Sequence, residues 1–79
     1  AYTIEEILAV RPPSDSPSQR WEWLVRWAGY DSSHDMWIPA TYFAKSSILT
    51  QWYKGAGRRQ PKPPGRLSDL VAGRKKGQS

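Results

Sequence analysis

Seventy-nine residues with a formal net charge of +5 and 38% apolar side chains suffice for one small domain and an appendage, and they exclude a large enzyme fold. Because there is no cysteine and a single histidine, the sequence excludes a disulfide framework and a Cys/His metal cluster, and we expect neither metal nor cofactor. The apolar runs of at most four residues are far shorter than the roughly 20 of a membrane-spanning helix, so we expect no membrane partner.

The charge is unevenly distributed along the chain. Residues 1–53 contain all ten aromatic side chains with four basic and six acidic residues, which gives a net charge of −2. Residues 54–79 contain no aromatic side chain, eight Lys or Arg and one Asp, which gives +7. We therefore predict a folded domain over residues 1–54 and a disordered basic tail, rich in Pro and Gly, over residues 55–79.

Two strands are predicted in the first third of the chain. Residues 2–10 are rich in aliphatic side chains, and Glu5 and Glu6 interrupt their alternation, which indicates a strand with or without a bulge. Three prolines make residues 11–18 a loop. Residues 19–28 are the clearest strand because they alternate strictly, and one face has Trp21, Trp23, Val25 and Trp27.

A third strand and a helix complete the predicted fold. Residues 29–35 are polar and form a turn, and residues 36–38 form a short strand that Pro39 ends. Apolar residues recur at helical spacing over residues 48–53, in a helix that Ser46 or Ser47 caps and Gly55 ends. The predicted fold class is α+β, a curled three-stranded antiparallel sheet closed by one C-terminal helix.

Four segments resemble the successive blocks of a chromodomain, the methyl-lysine reader of chromatin proteins. They are residues 2–8 (YTIEEIL), 23–30 (WLVRWAGY), 36–39 (MWIP) and 48–52 (ILTQW), in the order and spacing of that family. The resemblance covers residues 1–53 and extends to the chromodomains attached to retrotransposon integrases, which often end in basic tails. It implies a domain that is monomeric in isolation, acts in the nucleus and binds a methylated histone tail.

The resemblance implies an aromatic cage formed by Tyr2, Trp27 and Tyr30. A trimethylated ammonium keeps its charge but has no N–H donor, so aromatic faces hold it better than hydrogen-bonding side chains do. The alternative for any single ring is ordinary packing in a small core. Three aromatic residues at these spacings favour the cage.

The sequence departs from histone-reading chromodomains at three places. Their third strand usually contains Trp-Glu-Pro, whereas residues 37–39 here are Trp-Ile-Pro, so one polar peptide contact is missing. His34 stands where the family usually has a carboxylate beside the cage, and the neighbouring Asp35 is the candidate substitute. Thr41 and Tyr42 stand where an Asn commonly binds the peptide backbone.

In the family, the histone tail lies as an extended strand between two segments of the domain. The matching segments are residues 1–4 and 40–44, so the resemblance implies a peptide groove that includes Thr3, Ile4, Thr41 and Tyr42. Backbone hydrogen bonds then supply affinity and the cage supplies selectivity. The alternative for residues 1–4 is a frayed chain end, which is compatible with ordering by the peptide.

The basic tail is a candidate arm for DNA or RNA because its cations can neutralise phosphates. These cations are Arg58, Arg59, Lys62, Arg66, Arg74, Lys75 and Lys76. The alternative, of equal weight, is a solvated tail that aids solubility or includes a nuclear import signal. Residues 67–71 have the pattern of one helical turn that docks on a partner, but at five residues disorder is favoured.

The sequence offers little basis for catalysis. His34 lies in a predicted surface turn, and no glycine elbow or second histidine marks a nucleophile. Glu5 and Glu6 point to opposite faces of a strand and are a poor acid–base pair. The favoured function is therefore a non-enzymatic module that binds a methylated histone lysine, with DNA or RNA held by the tail. The alternative is a chromodomain-like scaffold that binds nucleic acid or a protein regardless of methylation.

Overall fold

A three-stranded antiparallel sheet, in the order β1-β2-β3, forms the centre of the computed structural model, which describes residues 2–73. The strands are β1 (Ile4–Arg11), β2 (Glu22–Trp27) and β3 (Met36–Pro39). Two helices follow, α1 (Ser46–Lys54) and α2 (Leu67–Val71). Short 3-10 turns lie at Pro13–Asp15, Ser32–His34 and Ala40–Tyr42. The predicted α+β class and the antiparallel order of the strands are confirmed.

β1 is irregular at two places, and the sheet is curled. An extra residue lies between Ile4 and Glu6, and another between Ile7 and Ala9, in each case opposite consecutive residues of β2. Extra residues of this kind bend a strand and increase its local twist. The interrupted alternation at Glu5 thus marks a true bulge.

The core lies between the sheet and α1. The four largest fully buried side chains come from the two strands β2 and β3 and from α1, and they are Trp23, Val25, Ile38 and Leu49. Trp23 and Val25, both in β2, are two residues apart and fully buried, which confirms the alternation predicted for that strand. Trp21 and Trp27, on the same predicted face, are only partly buried against the core. In residues 2–73, neither helix is long and apolar enough to cross a membrane.

A buried carboxylate holds the proline-rich loop against the start of β2. Glu22 accepts hydrogen bonds from the Arg11 guanidinium at 2.6 Å and from the hydroxyls of Ser16 at 2.6 Å and Ser18 at 3.0 Å. The bond from Ser16 does most to keep the pKa of the Glu22 carboxyl below its ordinary value, while burial acts in the opposite direction. Alternation predicts Glu22 on the polar face, but the loop covers it.

α1 begins at Ser46, but the predicted serine cap is wrong. Lys45 has the extended backbone of a cap residue, and its side chain makes no capping hydrogen bond. Ser46 is already helical, so its hydroxyl cannot take the cap geometry, which requires an extended backbone. Gly55 follows the last residue of α1, as predicted, and its N–H donates to the Trp52 carbonyl at 3.0 Å.

The disorder predicted from residue 55 is not confirmed for residues 55–73, which fold back on the domain. The Tyr53 hydroxyl donates to the Pro61 carbonyl at 2.7 Å, and α2 packs against α1 and the turn at Ala40–Tyr42. Leu67 is 7% exposed and belongs to the same apolar cluster as Leu49. The change of composition at residue 54 is therefore not the end of the fold.

Tertiary packing explains why a helix of five residues forms. Such a helix is unstable alone, because nucleation costs more than a single turn returns. Burial of Leu67, with partial burial of Leu70 and Val71, offsets that cost. Gly57 lets the chain pass close to α1, since a Cβ there would lie 2.5 Å from the Trp52 ring. Arg74, Lys75 and Lys76 lie outside the described residues.

Candidate functional site

Three aromatic rings surround a surface pocket at the end of the sheet. Tyr2 comes from the segment before β1, Trp27 ends β2, and Tyr30 follows in the next turn. The Tyr2 ring lies 5.8 Å from the Trp27 ring, nearly edge-on at 63°, and 6.0 Å from the Tyr30 ring, at 38°. The pocket has a volume of about 390 Å³ and is also lined by His34, Met36 and Tyr42. We call it the aromatic pocket.

Backbone contacts bring the three rings together. The Ala28 N–H donates to the Thr3 carbonyl at 2.8 Å and thereby ties the N-terminal segment to the end of β2. Gly29 has a backbone φ of +84°, which residues other than glycine rarely adopt, and it reverses the chain after β2. The Tyr30 N–H then donates to the Trp27 carbonyl at 3.1 Å. The turn therefore brings Trp27 and Tyr30 to the same pocket, which both residues line.

The exposure of the rings separates a binding role from core packing. Tyr2 is 75% exposed and Tyr30 is 43% exposed, so neither fills the core. Trp27 is partly buried and packs against the core from one side, while it lines the aromatic pocket with the other. Large apolar side chains left in water in one place are typical of a binding surface.

His34 lines the aromatic pocket, although it is not among the site residues predicted from the sequence. Its ring lies 5.0 Å from the Tyr30 ring, and its Nδ1 lies 3.3 Å from the Asp31 carboxylate. Asp31 accepts at 3.0 Å from the Ser33 N–H, and hydrogen bonds from Ser33 and then His34 lower the pKa of its carboxyl. His34 is exposed, as predicted. Because His34 aligns with the carboxylate that chromodomains have beside the cage, its place at the pocket could have been predicted from the sequence.

Asp35, the predicted substitute acid, is held away from the aromatic pocket. Its carboxylate accepts two hydrogen bonds from the Arg26 guanidinium, one of them 2.8 Å long from Nη2 to Oδ2. This pairing lowers the pKa of the Asp35 carboxyl. Among the described residues that line the aromatic pocket, none has a carboxylate. The pocket therefore offers a cation aromatic faces and little hydrogen-bonding capacity.

A second cavity, of about 190 Å³, continues from the aromatic pocket and is called the side groove here. The two share Tyr2, Trp27 and Tyr42. Thr3 and Ile4 line the side groove from one side, and Ala44 and Ile48 line it from the other. Of the predicted groove residues, the structure thus brings together Thr3, Ile4 and Tyr42. Thr41 lies elsewhere, in a cavity that it shares with Trp21 and Leu70.

Of the cations predicted to bind nucleic acid, the four that the structure describes do not all line one cavity. Lys62 and Arg66 line a cavity beside α1 together with Lys54, which the prediction of the nucleic-acid site did not include. Arg58 and Arg59 are exposed on the segment that leads there, and neither lines that cavity. The basic composition of residues 54–79 identifies all of these cations as candidates. The cavity, however, forms only because residues 55–73 fold back on the domain, whereas the sequence predicted disorder there.

No protein-family model, curated protein or solved structure matches the chain. Within residues 2–73, no group of His, Asp or Glu is placed to hold a metal ion. The geometry of the aromatic pocket is therefore the main guide to function.

Proposed function

We propose that this chain is a chromodomain-like module that acts in the nucleus and binds a methylated lysine on a histone tail, without catalytic activity. The observation that supports this most is the solvent-open pocket between Tyr2, Trp27 and Tyr30, with ring separations of 5.8 and 6.0 Å. The strand order, the bulged first strand and the helix after β3 agree with the chromodomain resemblance of the sequence.

The physical chemistry of the aromatic pocket suits a methylated ammonium. Ring faces are electron-rich, and a desolvated contact between a cation and such a face is worth about 2 kcal/mol. Unmodified lysine has three N–H donors, and each loses free energy if it leaves water without an acceptor. Because no described residue of the lining supplies a carboxylate, full methylation removes this cost while keeping the charge.

The side groove supports the capture of the peptide as an added strand. Its two sides are formed by residues around Thr3 and Ile4 and by residues 42–48, and it shares Tyr2, Trp27 and Tyr42 with the aromatic pocket. A strand lying there pairs its backbone with the edge of the domain and directs one side chain into the pocket. Affinity then comes mainly from the backbone, and selectivity for methylation comes from the rings.

The proposal is tested by titrating the full chain with pairs of tryptophan-free histone-tail peptides. Each pair has one lysine either unmodified or trimethylated, and intrinsic tryptophan fluorescence, to which Trp27 contributes, reports binding. We expect at least one trimethylated peptide to bind about tenfold more tightly than its unmodified partner, a difference of about 1.4 kcal/mol. Equal affinity within every pair would contradict the proposal. It would favour a scaffold that binds nucleic acid or a protein regardless of methylation.

A further inference from the structure

A polar cavity of about 520 Å³ lies between α1 and the returning segment at residues 62–68. We call it the basic cleft. The polar and charged side chains that line it come from both sides, and they include Ser46, Thr50, Lys54, Lys62, Arg66 and Ser68. None of its lining residues lines the aromatic pocket, so the two are separate sites.

The cations of the basic cleft lack ionic partners in the described part of the chain. Lys54, Lys62 and Arg66 are exposed, and none of them forms an ion pair with any of residues 2–73. Arg11 and Arg26, in contrast, are each paired with a carboxylate. Positive charges gathered around one cavity repel each other, and an anion between them removes that repulsion.

The returning wall of the basic cleft is fixed in place. Tyr53 receives a hydrogen bond from the Trp23 indole at 3.3 Å and donates to the Pro61 carbonyl at 2.7 Å, which anchors the chain just before Lys62. The Lys62 ammonium lies 5.9 Å from the Tyr53 ring. Leu67, next to Arg66, is buried in the core. A ligand therefore meets cations on a backbone that is already folded and does not have to order a flexible tail.

We propose that the basic cleft binds the phosphodiester backbone of a nucleic acid. A phosphate has several acceptor oxygens and a full negative charge, which match the ammonium and guanidinium donors and the serine hydroxyls of the lining. Arg58 and Arg59 are exposed between Lys54 and Lys62 in the chain, although neither lines the cleft. Several cations on one short stretch of chain favour a polymer of phosphates over a single phosphorylated side chain.

The test measures binding of a fluorescein-labelled 12-base-pair DNA duplex to the full chain by anisotropy at several salt concentrations. The variant K62Q/R66Q removes two cations of the basic cleft. The control R20Q/K45Q removes the same two residue types and the same charge from exposed positions that do not line the basic cleft. Circular dichroism and the affinity for a trimethylated histone peptide verify that each variant is folded.

We expect K62Q/R66Q to weaken duplex binding about tenfold at low salt and to reduce the slope of log affinity against log salt by about 1.8, since each lost phosphate contact contributes about 0.9. The control should change affinity less than about threefold and leave the slope nearly unchanged. If both pairs weaken binding equally, the chain binds DNA through its overall charge and the proposal is wrong.

Two further probes distinguish sources of phosphate. Inorganic phosphate should compete with the duplex only at millimolar concentration, because one phosphate makes few of the contacts. A phosphoserine peptide should bind more weakly than the duplex at the same salt. If it binds more tightly, and K62Q/R66Q abolishes that binding, the basic cleft is a site for phosphorylated proteins and the nucleic-acid proposal is overturned.

Discussion

Tyr2 and Tyr30 present their ring faces to solvent and contribute little to the core, whereas Trp27 serves both the core and the aromatic pocket. The two tyrosines therefore report on binding without a large effect on folding. Their hydroxyl groups are not needed for contact between a ring face and a cation. Substitution of a tyrosine by alanine removes both the ring and the hydroxyl, whereas substitution by phenylalanine removes the hydroxyl alone, so the two variants separate the contributions of ring and hydroxyl to binding.

We expect Tyr30→Ala to weaken binding of the best trimethylated peptide at least about tenfold, because one ring face is lost. Tyr30→Phe should stay within about threefold of the wild type, since it keeps that face. Fluorescence titration gives both affinities, and circular dichroism checks the fold. If Tyr30→Phe loses as much affinity as Tyr30→Ala, the hydroxyl rather than the ring face is responsible, and the cage is wrong.

We expect the residue at position 34 to influence how the aromatic pocket discriminates between methylation states, because His34 lines the pocket. Monomethyl-lysine retains two N–H donors, and a carboxylate beside the pocket would accept from them. His34→Glu places such a group near the Tyr30 ring, which lies 5.0 Å from the present imidazole. We expect the preference for trimethylated over monomethylated peptide to fall about tenfold.

The matched control for this substitution is His34→Gln, which has the shape of the glutamate without its charge. It should leave the preference between methylation states within about threefold of the wild type. Titrations with monomethylated and trimethylated forms of one peptide give the ratio. A glutamine variant that shifts the ratio as far as the glutamate variant would show that charge is not the cause.

The elements differ in how far local sequence determines them. β2 was predictable because its alternation follows from one buried and one less buried face, and Gly55 marks the end of α1. α2 was not, since its stability comes from Leu67 entering a core whose other buried residues lie 18 or more residues earlier in the chain. Trp27 and Tyr30 are separated by one turn, so their closeness could be predicted from the sequence, whereas the approach of Tyr2 was expected from the chromodomain resemblance. The pairing of Asp35 with Arg26 depends on side-chain geometry between separate elements, which spacing alone does not specify.

Leu67→Ala tests whether α2 belongs to the fold. Because Leu67 is buried in the same cluster as Leu49, we expect the free energy of unfolding to fall by about 2–4 kcal/mol. Ser68→Ala, at the exposed neighbouring position, should change it by less than about 0.5 kcal/mol. Urea unfolding followed by tryptophan fluorescence measures both. Equal free energies of unfolding for the two variants would contradict the packing of α2 and favour a disordered tail.

The loop between β1 and β2 should make stability dependent on pH through Glu22. Hydrogen bonds lower the pKa of this carboxyl in the folded state, so its contribution to stability is present above the unfolded pKa and disappears as pH falls through the folded pKa. We expect Glu22→Gln to lower the melting temperature at neutral pH and to flatten its fall between neutral pH and about pH 3. The exposed Glu5→Gln is the control, and an equal change in both variants would contradict the role of Glu22.

At the scale of the whole molecule, one small core supports both the aromatic pocket and the basic cleft. The aromatic pocket lies at the end of the sheet where β1 begins and β2 ends, and the basic cleft lies between α1 and residues 62–68. They share no lining residue, but Trp23 and Tyr53 connect the sheet to the returning segment through the core. Since each site stands on packed elements, a substitution at the surface of one should leave the geometry of the other intact.

This separation predicts opposite effects of two variants on two ligands. Tyr30→Ala should weaken binding of the trimethylated peptide at least about tenfold and leave duplex affinity within about twofold, because it removes no charge. K62Q/R66Q should weaken duplex binding about tenfold and leave peptide affinity within about twofold. Four titrations at one salt concentration complete the test. If either variant weakens both ligands alike, the pocket and the cleft are parts of one binding surface, and a histone tail and nucleic acid would compete for this domain instead of binding it together.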